Sequence, residues 1–451
     1  MSPQPPCPYW NPKTELMSRP EREALQLRKL QAMVRFAYER SPFYRRKFDA
    51  AGVHPEQIRR LEDVRRLPFT TKADLLQSQA EAPPFGSLFT GAPALGIKYH
   101  QTSGTSGRTP LRVVETVKDW GWGTETMAQG IYGFGVRADD VVYVAFAYGS
   151  FIGLWLVQYA VERIGALSIA GGGQTSEGRI RQMLDLGATT LICTPTYALR
   201  LAQTAAAEGV DLRQQSQVRK VIVSGEPGGN IPATKRALEE AWRARVGDVA
   251  GMTEHSGIFG FECDRRPGGL HILEDHFLDE VLHPETAEPL GYGERGERVT
   301  TSFGRGLLPI IRFRTGDLVE RLEAKTCSCG RTLDLYRGGV LGRTDDMKII
   351  RGVNVYPSAV EGIVRQHDEV DEFQIVLHRV GVQDEVTVKL ELRQGAEGLA
   401  VPIQEAIARE LAEAHEGLRM NVRAVPKGTV PRFELKSRRL LDLRHQPGAE
   451  P

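Results

Sequence analysis

The sequence predicts an α/β protein: a large N-terminal domain with parallel βαβ sheets and a β subdomain, then a small α+β C-terminal domain. Three observations carry that reading. Strand-like and helix-like runs alternate from about 141 to 244 with short turns between them. Beyond about 270 the texture changes to short strands joined by Pro/Gly turns. A compact mixed segment of about 100 residues follows position 342, the size of a small domain. The 451 residues suit two or three domains.

Residues 21–40 read as an amphipathic helix stopped before Pro42. A Pro-rich stretch, 81–96, precedes a polar Gly-rich motif. Strands are expected at 141–147, 166–170, 189–195 and 220–225. Helices are expected at 151–165, 178–186, 197–209 and 232–244. Short connections between them imply parallel pairing, so the turns at 148–150, 171–174, 194–196 and 225–230 should meet at the carboxyl edge of the sheet. Residues 276–303 read as antiparallel strands. A domain boundary falls at 342–346, dividing the chain into 1–342 and 343–451. The second part holds a helix after Pro357, hairpin strands at 373–381 and 385–393, a helix at 401–417, a last strand at 421–425 and a disordered tail from 445.

Composition narrows the function. Lys plus Arg number 58 against 57 Asp plus Glu, a formal charge of +1, which argues against a nucleic-acid partner. The 47 glycines sit in clusters without a period, so a repeat protein is excluded. The apolar stretch 141–160 approaches bilayer length, but Tyr148-Gly149-Ser150 splits it into a strand and a helix, and no membrane partner is expected. No basic-then-apolar leader is visible, and five cysteines in so long a chain suit a reducing, cytoplasmic setting.

Six motifs carry chemistry. Thr102-Ser103-Gly104-Thr105-Ser106-Gly107-Arg108 combines hydroxyls, glycines and a cation, the material of a phosphate-wrapping loop. Gly225-Glu226-Pro227 ends a strand. Thr253-Glu254, after Gly251-Met252, can serve a phosphate oxygen and a divalent cation. Asp317, on a turn, can accept two ribose hydroxyls. Gly342-Arg343-Thr344-Asp345 and Pro431-Arg432-Phe433-Glu434-Leu435-Lys436 complete the set. Singly each is weak: plain loops and solvated basic runs look the same.

Cys327 and Cys329 form a C-x-C pair, with Cys263 and His271 upstream. Three thiolates and an imidazole suit a closed tetrahedral Zn²⁺ site; the alternative is buried free cysteines and a surface histidine. Cys193 ends a strand and reads as core, Cys7 has no evident partner, and His276 and His283 read as solvated spares.

In order and spacing the six motifs resemble the phenylacetate–CoA ligase family of the acyl-adenylate-forming superfamily, from 41–44 and 67–75 through to Arg439. The resemblance implies two steps: an aromatic acid attacks the α-phosphate of ATP, and coenzyme A then displaces AMP. It implies that Thr102 to Arg108 hold the β/γ-phosphates and that Gly225, Glu226 and Pro227 meet adenine. Thr253 would bind the α-phosphate, Glu254 the Mg²⁺, and Asp317 the ribose with Arg343 in support. Lys436 would bridge carboxylate and α-phosphate. A mobile C-terminal domain would swing about Asp345, and the protein would be a homodimer. Two departures stand out: Ala250 replaces an adenine-stacking aromatic, worth about 1 kcal/mol, and Arg108 stands where Lys is common.

The acid pocket should be lined by Tyr148, Phe151, Ile152, Gly153, Trp155, Gly172, Thr196, Gly251, Met252 and His255. These aromatic and small residues suit a flat aryl or arylacetic acid better than a long alkyl chain. Competing readings keep adenylation but load a carrier-protein phosphopantetheine or an amine, or retain the fold as a non-catalytic binder.

Overall fold

The computed structural model describes residues 7–102, 110–146, 148–265, 268–344, 348–351, 353–380, 383–432 and 439–444. The expected βαβ run is present. The four expected strands, Val141–Val144, Leu167–Ala170, Thr190–Cys193 and Lys220–Ser224, pair in parallel, and a fifth that was not expected, Arg245–Met252, continues them. Helices Ile152–Ile164, Ser176–Asp185, Pro195–Ala207 and Pro232–Trp242 connect them. The central strands Thr190–Cys193 and Lys220–Ser224 are buried at nearly every position because both their faces are covered. Val142, Val144, Ile192 and Ile222 enter one core cluster, while Tyr143, Leu191, Val221 and Val223 enter another. That alternation is the two-residue pleat of a sheet between two layers.

The β subdomain is not separate. Arg245–Met252 lies parallel to Lys220–Ser224 on one side and antiparallel to Gly257–Phe261 on the other. The sheet therefore continues through Gly269–Ile272, Leu335–Arg337, Phe313–Leu322, Arg295–Ser302 and Phe277–Leu282 as one 12-stranded surface. Gly342–Arg343 pairs with Phe313–Leu322, so Arg343 stays with the large sheet, at the expected boundary.

The helix Arg19–Arg40 forms as expected, entered by Pro20. It packs with Pro42–Ala50 into a third cluster containing Leu308, Ile310 and Phe313. The helix Val117–Phe134 lies against Gly257–Phe261. No helix among the described residues is long and apolar enough to cross a membrane.

The C-terminal part has its own core, from Ile350 to Leu418 and Met420. Its sheet runs Asn421–Ala424, Gln383–Leu392, Val370–Val380, Leu440–Asp442, flanked by helices Pro357–Val364 and Ala400–Ala414. The edge strand Leu440–Asp442, parallel to Val370–Val380, was not expected from the sequence.

Candidate active site

The crevice is built at the carboxyl edge of the parallel strands. Thr194 caps the helix Pro195–Ala207, accepting a hydrogen bond from the Tyr197 amide at 3.2 Å. In the same first turn the Thr196 amide donates to Glu226 Oε1 at 2.9 Å, which sets a carboxylate against the positive end of the helix. Gly225 holds φ of +94°, the left-handed turn that brings Glu226 and Pro227 off the strand end.

Further along the same edge of the sheet, after the strands Val141–Val144 and Leu167–Ala170, stands an aromatic wall. Tyr148 lies so close to Gly172 that a Cβ there would come within 2.1 Å of the ring. Its hydroxyl donates to Gln158 at 3.1 Å, and Trp155 meets it edge-on at 4.8 Å. Phe151 lies against Gly153 in the same way, at 2.8 Å from a Cβ. Ile152 departs from the expected lining: it is buried among the core side chains of its helix.

Strand Arg245–Met252 runs into the 3-10 turn Thr253–His255, after which Ser256 takes φ of +56°. Gly251 is required here, since a Cβ would sit 2.6 Å from the Gly257 carbonyl oxygen. Thr253 and Glu254 are nearly buried. The Glu254 carboxylate lies 3.2 Å from the Lys72 ammonium. Beneath the turn the Arg305 guanidinium donates to the Glu254 carbonyl and lies 3.1 Å from Glu115, which also accepts the Ser256 hydroxyl. Arg298 reaches Met252 Sδ at 3.9 Å. His255, expected in the acid pocket, is wholly buried instead, 4.7 Å from the Phe277 ring. Burial, with Arg298 and Arg305 nearby, holds its imidazole well below the usual histidine range.

Asp317 and Arg343 face each other across paired strands and form an ion pair at 3.1 Å. Thr102 closes the stem of the hydroxyl–glycine loop: it donates its amide to the Leu111 carbonyl and accepts the Leu111 amide on Oγ1, both at 3.0 Å. Ser103, Gly104, Thr105, Ser106, Gly107, Arg108, Asp345 and Lys436 lie outside the described residues. Sequence reasoning missed Lys72, Glu115, Arg305 and Arg439. A carboxylate closing the strand Arg112–Glu115 and an arginine between two glycines were the available signals.

Cys263, His271, Cys327 and Cys329 bring their ligand atoms within 4.8 Å of one another. Cys263 and Cys327 sulfurs are 3.6 Å apart, and Cys329 Sγ is 3.3 Å from His271 Nε2. Ligands of a tetrahedral ion with 2.3 Å bonds stand about 3.7 Å apart, close to the two shortest of these separations, so the three sulfurs and the imidazole suit zinc. His271 Nδ1 is 3.2 Å from the Leu333 carbonyl, which leaves Nε2 facing the sulfurs. The N-terminal segment covers the cluster: the Tyr9 hydroxyl donates to the Cys329 carbonyl at 3.0 Å and Arg331 donates to the Pro8 carbonyl at 2.8 Å. Cys193 is core, as expected, and Cys7 is exposed. His276 is not solvated: its side chain is 12% exposed, between Asp275 and Trp122. His283 is on the surface, accepting the Glu285 and Thr286 amides.

Residues 352–444 match the AMP-binding enzyme C-terminal domain. The chain is 36% identical over 454 residues to a phenylacetate-coenzyme A ligase of Thermus thermophilus, across 96% of this chain and 99% of that one. A phenylacetate-coenzyme A ligase of Escherichia coli is 33% identical over 440 residues, across 96% and 98%. Among solved structures, 2-hydroxyisobutyryl-CoA ligase in its postadenylation state superposes with a TM-score of 0.91 at 30% identity, over 98% of this chain and 94% of that one. The thioesterification state of that ligase gives 0.74 at 32% identity, over the same shares. Fold and similarity together define the class, an AMP-forming acid–CoA ligase of the adenylate-forming kind. Within that class the chain belongs to the phenylacetate–coenzyme A ligase family.

Proposed function

We propose that this chain activates an aromatic carboxylic acid, aryl or arylacetic, with ATP and Mg²⁺ and passes the acyl group to coenzyme A. The observation that carries the aromatic reading is the wall of Tyr148, Phe151 and Trp155 against Gly153 and Gly172, at the carboxyl ends of the strands Val141–Val144 and Leu167–Ala170. Aromatic faces beside small residues suit a ring better than a long alkyl chain.

In the first step a carboxylate oxygen attacks the α-phosphorus and the bond to pyrophosphate breaks. Thr102 to Arg108 hold the β- and γ-phosphates, and Thr253 donates to an α-phosphate oxygen. Mg²⁺, when bound, neutralises phosphate charge, and Glu254 supplies the carboxylate to hold it. Gly225, Glu226 and Pro227 border the adenine, and Asp317, steadied by Arg343, accepts the ribose hydroxyls. Lys436 places its ammonium between the substrate carboxylate and the α-phosphate. In the second step the thiol of coenzyme A attacks the acyl carbon and AMP leaves, after the part beyond Asp345 has turned about that residue. Cys263, His271, Cys327 and Cys329 hold a structural Zn²⁺ away from this chemistry.

The test is pyrophosphate release from ATP over a panel of aryl, arylacetic and alkyl acids, with and without coenzyme A, the products read by mass. Acyl-CoA from the ring-bearing acids is expected. Turnover confined to alkyl acids would overturn the aromatic reading. Release that stops at the adenylate would transfer the acceptor role to a carrier protein or an amine.

A further inference from the structure

Arg439 is the one arginine of the C-terminal edge whose guanidinium reaches across to the crevice among the described contacts. It is 6% exposed, far below what a residue in a basic run would show. Two carboxylates of the C-terminal part hold it: Glu372 at 2.9 Å on Nε and Glu361 at 3.1 Å on Nη1. Glu372 has a second arginine, Arg365, at 2.8 Å. Two arginines thus already balance two carboxylates within that part. The third Arg439 nitrogen, Nη2, is shared: it donates to Glu372 Oε2 at 3.4 Å and, across to the large domain, to Thr196 Oγ1 at 3.2 Å. Thr196 is the residue whose amide holds Glu226. Glu226 adds its own negative charge to the field at Arg439 and Glu361. The Arg439 carbonyl accepts the Ile375 amide at 2.7 Å, so its backbone is fixed to the central strand of the small sheet. Arg439 also lies three positions after Lys436 in the chain.

We propose that Arg439 is a positioning residue for the adenylation step: its Nη2–Thr196 contact latches the C-terminal part over the crevice and fixes the far end of the segment that carries Lys436. The proposal rests on the two-step reading above. Rotation of the C-terminal part breaks this contact and leaves the Glu361 and Glu372 pairs intact. The latch is therefore specific to one orientation, and it carries none of the load of the small core. Gln203, donating to Asp371 at 2.8 Å, is a second contact across the same boundary, but Gln203 is exposed and the bond is neutral on the donor side, so it holds little.

The experiment compares half-reactions in Arg439→Gln, Arg439→Lys and Thr196→Val. Loss of a hydrogen bond from a charged donor is expected to lower ATP–pyrophosphate exchange roughly tenfold or more in R439Q. Thioester formation from a supplied acyl-adenylate should change by less than about threefold. R439K should recover part of the exchange. T196V, which leaves the carboxylate pairs untouched, should fall in the same half-reaction by a smaller factor. Equal loss in both half-reactions would reduce Arg439 to a structural role, and no loss in either would remove the latch. Amide hydrogen exchange over 195–207 reads the contact without turnover, and protection there should drop in R439Q. A wild type that forms no adenylate at all, yet loses this protection in R439Q, would sink the functional reading and leave the contact standing.

Discussion

At the scale of single residues, Glu115 links the site to stability. Burial pushes its carboxyl up to about 7 from an ordinary 4.5, against the opposing pull of Arg305 and the Ser256 hydroxyl. In the unfolded chain the proton leaves near 4.5, so between that pH and 7 the folded protein binds more protons than the unfolded one. Stability from this group is complete below 4.5 and is lost as pH rises through 7, a change of about 3 kcal/mol. Glu115→Gln has no such titration. Urea unfolding at pH 5 and pH 8 should show a smaller drop in the variant than in the wild type, and equal drops would refute the assignment. Glu115 and Arg305 also mark where sequence reasoning ended. Thr253, Glu254 and Asp317 stand in short motifs whose residue types match their chemistry. The groups beneath them come from positions 115, 256 and 305, and only folding brings them together. His255 departs from the expected lining for the same reason: adjacency to Glu254 in sequence says nothing about which way a ring turns at the end of a 3-10 turn, where His255 packs on Phe277.

At the scale of elements, the helix Val117–Phe134 passed unread because Gly121, Gly123, Gly130 and Gly133 look like punctuation in a sequence. Three of them are there for close approach. A Cβ at Gly123 would stand 2.3 Å from the Ser256 carbonyl oxygen, one at Gly130 2.3 Å from Ile258, and one at Gly133 2.3 Å from the Phe261 ring. Central strands such as Thr190–Cys193 were legible because four consecutive buried residues leave no other reading, while Arg245–Met252, broken by Gly247, Asp248 and Gly251, was not. Continuity of the antiparallel strands with them was not, since strand order is a property of pairing and not of local pattern. Gly123→Ala gains helix propensity of about 1 kcal/mol but forces the Ser256 turn outward at a cost of about 1–3 kcal/mol. The net expectation is unchanged or slightly lowered stability with a rise in KM for ATP, because the displaced backbone carries Glu254. Thermal unfolding and steady-state kinetics on the same sample check it, and an unaltered KM would separate this helix from the site.

At the scale of the whole molecule, the Cys263, His271, Cys327 and Cys329 cluster joins segments 64 residues apart and lies beneath the N-terminal segment. Elemental analysis should find one zinc per chain, and Cys327→Ser should lose it with a fall in Tm of about 5 °C or more. Retention of full thermal stability without metal would leave the cluster as buried thiols. The larger claim concerns what the crevice does with an acid. If a carboxylate oxygen attacks the α-phosphorus, that oxygen stays on the phosphorus when the thiol takes the acyl group. The direct measurement is to supply an aryl acid labelled with heavy oxygen in its carboxylate, with ATP, Mg²⁺ and coenzyme A, and weigh the products. The account predicts one heavy oxygen in AMP and none in pyrophosphate. Label in inorganic phosphate with release of ADP, or AMP without label, would contradict it.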